Sequence, residues 1–266
     1  MKHPLRTLDT AVADRLVRNR DFLVASASRF VAMVGYSAVV VVILLHLQGS
    51  LAGPEGVWAV TAYLLVATLP MVVLAPWAGR LADTHDSRFL ACAASAASAA
   101  ALAAMALSIH LFADFNPALF VLTFILEAAL AVASPTWQAL LPRIVGEKRT
   151  PKAMGTMQAT LMLAQLVGPA AGGILAGQGG TELAFWLAAA CYLVLAAGAV
   201  SIRTRRGGVS VQAEAGSGTL AGHGATPERP RLLDGLRVLN ADSLLWSLMV
   251  GAMFVVLTAE AINVLE

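Results

Sequence analysis

The residues of this chain best suited to chemistry are ionisable and polar groups set among apolar ones. Glu127 lies ten residues into the apolar stretch that begins at Pro117, about 15 Å along a helix and so near the middle of a span. Thr123, Glu127, Ser134 and Gln138 keep helical spacing and fall on one stripe. Such a stripe belongs against a cavity, since facing lipid would strand several polar groups. The stretch 153–177 adds Gln158 and Gln165, seven residues apart. Arg29 sits about 10 Å inside the stretch 22–46, where it can face the interior or snorkel back to the interface. An ionisable side chain inside lipid is costly and is a functional candidate by default. Glu127 can carry a proton, contact a cationic or hydrogen-bonding substrate, or stand as a neutral acid bonded to a neighbouring helix.

Other reactive groups carry less. Glu260 lies near the end of an apolar stretch, and His46 and His110 sit at outer ends of theirs, where interfacial placement is expected. Cys92 and Cys191 fall far apart in apolar segments and read as small packing residues rather than a disulfide or metal site. The sequence has no phosphate-binding G-x-x-x-x-G-K, no H-E-x-x-H and no G-x-S-x-G, so those enzyme classes are not expected. No cofactor is expected, and a net charge of +2 gives no reason to expect a nucleic-acid partner.

The elements that position these groups follow from composition. Of 266 residues, 58% are hydrophobic and 13% charged, with mean hydropathy +0.75. Soluble domains run at roughly 45–50% and about 25%, so lipid solvates most of this chain. Seven apolar stretches, 22–46, 57–78, 89–112, 117–141, 153–177, 183–202 and 244–265, are each long enough to cross as a helix. The third is rich in alanine, which suits close helix packing. Seventeen of the 18 basic residues lie before the first stretch or in the connections after the second, fourth and sixth. The alternate connections carry Glu55, Asp114 and Glu182 instead. Basic residues stay in the cytoplasm, so this bias predicts a cytoplasmic N-terminus. The fold class expected is all-α integral membrane, a six-span bundle over 1–202. A Gly/Ala/Ser-rich cytoplasmic linker occupies 203–243, and 244–266 carries the first span of a second bundle. A seventh span with no neighbour predicts that the sequence is a fragment of a longer protein.

Two signatures sharpen this reading. After the second stretch comes Gly79-Arg80-Leu81-Ala82-Asp83-Thr84-His85-Asp86-Ser87-Arg88. It resembles the loop signature G-x-L-A-D-R-x-G-R-R of the major facilitator superfamily, matching at Gly79, Leu81, Ala82, Asp83 and Arg88 and departing at Thr84, Asp86 and Ser87. Within the fifth stretch, Gly168-Pro169-Ala170-Ala171-Gly172-Gly173 resembles the G-P-x-x-G-G core of that superfamily's antiporters. The longer form of that motif finds Gly155 at one of its earlier glycine positions and Ala164 at the other. The run Pro135 to Val145, together with Arg29, looks like the branch holding the enterobactin exporter and the macrolide efflux proteins.

This resemblance implies a secondary active transporter in a bacterial cytoplasmic membrane. It would export a small drug, siderophore or metabolite by alternating access, with protons as the driving partner and a second bundle to complete it. In the resembled fold, spans one and four border the cavity, so an Arg29–Glu127 ion pair would hold the acid ionised. Gly79 would permit close helix contact, and Asp83 would join a charge network with the second bundle. The alternative is a non-transporting polytopic protein, an intramembrane enzyme or assembly factor built on the same spans.

Overall fold

The structure, a computed structural model, describes residues 19–51, 54–112, 116–178 and 180–202. The segment 1–18, the linker and the seventh apolar stretch with Glu260 lie outside the described residues. The described chain is a bundle of six helices: α1 (Arg20–Ser50), α2 (Pro54–Thr84), α3 (Ser87–Leu111), α4 (Ala118–Val145), α5 (Thr150–Gly177) and α6 (Thr181–Ser201). All six are long and apolar enough to cross a membrane.

Local chemistry sets the helix ends. The Asn19 side chain accepts from the backbone N–H groups of Asp21 and Phe22, capping α1, and Asp86 caps α3 through the Arg88 N–H. Between α4 and α5, Gly146 takes φ +80°, a conformation that other residues reach only with strain. A single 3₁₀ turn, Glu147–Arg149, follows it. Several helices outrun the apolar stretches that announce them. α2 continues to Thr84 and α4 to Val145, because a helix goes on satisfying its own backbone after the apolar run ends. Pro70, Pro76, Pro135, Pro142 and Pro169 all lie inside helices. Short connections make successive helices antiparallel. One end of the bundle therefore carries the start of α1, the α2–α3 turn, the α4–α5 link and the finish of α6. It also carries Arg20, Arg80, Arg88, Arg143, Lys148, Arg149 and Lys152, and is called the basic end below.

Packing is close where side chains are small. α1 lies against α5 and α6, α3 against α4 and α6, and α2 against α4. A Cβ at Gly172 would come within 2.9 Å of the Ala38 Cα, and one at Gly168 within 2.5 Å of the Ser37 Cβ, so these two glycines let α5 touch the backbone of α1. Gly35 does the same for α1 against Ala188 and Cys191 of α6. Ala91, Leu102, Met105 and Ala106 of α3 are essentially fully buried. Six buried hydroxyls are satisfied within their own helices. Ser28, Ser37, Ser95, Ser98, Thr123 and Thr136 each donate to the carbonyl four residues earlier. Only 17% of the apolar stretch of α2 and of α5 is buried, against 56% for α3, so α2 and α5 present the bundle's open faces.

Candidate functional site

The site is built on α1. Arg29 and Tyr36 are seven residues apart there, two turns along one face. Tyr36 lies midway along the helix, and its hydroxyl donates to Glu127 Oε1 of α4 at 2.8 Å. Tyr63 of α2 and Tyr192 of α6, both buried, lie within electrostatic reach of the same carboxyl. Two turns toward the basic end, the Arg29 guanidinium stands 5.6 Å from the ring centroid of Trp137, within cation–π range. Its Nη1 donates to Met157 Sδ of α5 at 2.9 Å. Tyr192 is also in electrostatic reach of Arg29, so α6 backs both levels.

The result is a two-level arrangement. A cation on a ring and a sulfur occupies one level, and a carboxyl with a tyrosine hydroxyl occupies the other. Arg29, Tyr36 and Glu127 are each only partly buried, so all three remain accessible. The anticipated ion pair between Arg29 and Glu127 does not form: each is engaged with neutral groups at its own level. Arg29 does not snorkel to the interface, because Trp137 and Met157 give the guanidinium a polarisable setting inside the bundle.

The remaining polar residues of the α4 and α5 stripes divide. Thr123 is buried, and its hydroxyl is spent on Leu119 of its own helix. Ser134 is half-buried, while Gln138, Gln158 and Gln165 are exposed. Gln138 adjoins Trp137 and Gln158 adjoins Met157 in sequence, which sets both near the Arg29 level. The residues that the sequence reading missed are Tyr36, Tyr63 and Tyr192, and the contacts of Trp137 and Met157 with Arg29. One signal for Tyr36 was available: it stands a heptad from Arg29 and carries a polar tip. Among the described residues, no group of three His, Cys, Asp or Glu side chains is arranged to hold a metal.

The signature segments take distinct places. Arg88 Nε donates to the Ala199 carbonyl at 3.2 Å and Nη2 to that of Val200, so this arginine caps the end of α6. A Cβ at Gly79 would meet nothing within 4 Å among the described residues, so no close helix contact occurs there. The side chain of Asp83 lies outside what is described. Gly168 and Gly172 form the α1–α5 seam, Pro169 sits within an unbroken α5, and Gly173 and Gly155 face open space. Ala164 is fully buried. At the opposite end, His110 Nδ1 lies 3.0 Å from Glu182 Oε2, and Trp186 Nε1 donates to Glu182 Oε1 at 3.1 Å. His46 Nε2 is buried there without a partner.

Comparison with known proteins yields one finding. No curated protein and no solved structure matches the chain. The family model described as Major Facilitator Superfamily matches residues 25–265, from the first helix through the seventh apolar stretch. Members of that family are membrane transporters. Six apolar helices, glycine-mediated seams and a match over nearly the whole length agree: the chain belongs to the major facilitator superfamily.

Proposed function

We propose that this protein is a proton-coupled exporter of a small molecule, a drug, siderophore or metabolite, of the enterobactin-exporter and macrolide-efflux kind. The basic end faces the cytoplasm of a bacterium, with the N-terminus inside. The stretch 244–265 opens a second bundle, and α1, α4 and α5 carry the transport pathway through Arg29, Glu127, Ser134, Gln138, Gln158 and Gln165. Asp83 acts on the conformational equilibrium from the signature loop.

The observation that carries this reading is the Tyr36–Glu127 hydrogen bond across α1 and α4 at mid-depth. A carboxyl whose bonded partner is a neutral hydroxyl can gain or lose a proton without stranding a fixed counter-ion. Proton uptake then changes the net charge of the site, and a change of site charge can bias one state of a rocking bundle over another. An Arg29–Glu127 pair would have opposed this.

The test is efflux driven by an imposed pH gradient in proteoliposomes. Glu127→Gln should abolish proton-driven efflux while leaving substrate binding measurable. The same rate and pH dependence as the parent would make Glu127 structural. Loss of binding alone would place it in the substrate site. Orientation has its own test: a cysteine introduced by Ser217→Cys should resist labelling from outside intact cells.

A further inference from the structure

We infer that the two-level site takes a bipolar ligand, an amphoteric small molecule with an anionic group held at Arg29 and a protonated amine at Glu127, separated by about 10 Å. The inference rests on the reading of this face as a substrate site and names the substrate class.

Four observations carry it. First, the two charges are not spent on each other, since the described salt bridges include none between Arg29 and Glu127. Second, among the described residues Arg29 meets neutral partners, a ring face and a thioether sulfur, and sulfur is a weak acceptor. A guanidinium presents a fork of N–H donors that matches a carboxylate or phosphate, and this one remains partly accessible. Third, the indole Nε1 of Trp137, on the ring that Arg29 overlies, is buried without an acceptor. The same level thus holds a second donor that an anion can satisfy after a small ring movement. Fourth, Glu127 accepts one bond from a neutral hydroxyl, on one oxygen only, and keeps partial exposure. Beyond the Tyr36 hydroxyl, Tyr63 and Tyr192 lie within electrostatic reach of that carboxyl and bring no cation to it.

The energetics favour one molecule over two. Each charge in low dielectric lacks an opposite partner, and supplying one recovers part of the desolvation cost. A ligand with a single charged end relieves one pole and leaves the other as it was. A ligand with both relieves both, and carries no net charge across the membrane.

The experiment measures equilibrium binding of three tritiated probes to the purified full chain in lipid nanodiscs: ω-amino-octanoate, octylamine and octanoate. The extended chain of the first matches the rise between Arg29 and Tyr36. The amphoteric probe should bind at least about tenfold tighter than either single-ended one, a difference of roughly 1.4 kcal/mol. Arg29→Gln should erase its advantage over octylamine, and Glu127→Gln its advantage over octanoate. Arg29→Lys, which keeps the charge but not the fork, should retain the preference in weakened form. Equal binding of octylamine and the amphoteric probe, or no binding of any of the three, overturns the inference. The wild-type series decides this even where a variant fails to fold. No gradient is applied, so a protein that exports under a gradient yet binds the three probes alike would refute the ligand class and leave the transport reading intact.

Discussion

The two ends of the bundle are fastened by different chemistry. At the basic end, Asn19 Nδ2 donates to the Ile144 carbonyl at 3.0 Å, tying α1 to α4, while Arg88 ties α3 to the last carbonyls of α6. Both acceptors are main-chain oxygens, fixed by their helices and indifferent to pH. Gly198 of α6 packs there against Ser28 of α1, where a Cβ would come within 2.8 Å of the Ser28 Cβ. At the opposite end, α3 and α6 meet through His110 and Glu182, whose side chains are 63% and 40% exposed. Both partners can rotate, and salt screens them. Gly49 near that end has no neighbour within 4 Å of an added Cβ, whereas Gly56 and Gly180 there meet the carbonyls of Leu51 and Leu175, a few residues earlier in the chain. One end is therefore set by geometry and the other by adjustable contacts. In a bundle that rocks, the fixed end keeps the helices moving as one body, and the loose end lets them part.

Four measurements break or sharpen this contrast, each read from unfolding of the purified protein in mixed micelles. The largest effect belongs to paired glycines. Gly198→Ala should destabilise by roughly 1–3 kcal/mol through overpacking against Ser28, whereas Gly49→Ala should be neutral or slightly stabilising. Equal responses would remove the difference in packing. Next is Arg88→Gln, which takes two charge-assisted bonds from the solvent-accessible end of α6 and should lower stability by about 1–2 kcal/mol. Asn19→Ala removes an N-cap and a bond to Ile144 and should lower it by about 1 kcal/mol. The smallest effect belongs to His110→Gln, which should give no resolvable change at neutral pH. Any contribution of this exposed His110–Glu182 contact should fade in high salt. A large, salt-insensitive loss in this variant would mean that the opposite end is fastened as firmly as the basic one.

Much of the architecture was legible because lipid imposes it. A hydropathy count finds the six described helices, and Glu127 declares itself as an acid where acids are expensive. Helix ends were less legible, since hydropathy senses lipid rather than hydrogen bonds, and α2 runs past its apolar stretch to Thr84. The partners inside the site were least legible. Tyr36, Tyr63 and Tyr192 pass as ordinary span residues, and the mutual placement of α1, α4 and α6 decides which of them reaches a carboxyl. Arg29 shows the same limit from the other side. Sequence supplies its depth in its own helix, yet its choice of Trp137 and Met157 over Glu127 depends on how α1 and α4 are staggered along their axes, which sets Arg29 level with Trp137 and Tyr36 level with Glu127. Arg88 lies in a segment read for its part in conformational change, and the structure adds a capping bond to α6 that sequence spacing alone does not disclose.

The buried serines and threonines have a mechanical consequence. Ser28, Ser37, Ser95, Ser98, Thr123 and Thr136 return their hydrogen bonds to their own helices, so none of these six welds one helix to the next. The seams of α1 with α5 and α6 are consequently smooth surfaces of glycine, alanine and inward-turned oxygen. A polar tie across the α1–α5 seam is the Arg29 bond to the Met157 sulfur, a weak acceptor, so movement there gives up little hydrogen-bond energy. A transporter assembled in this way can change shape many times over without wearing through its hydrogen bonds.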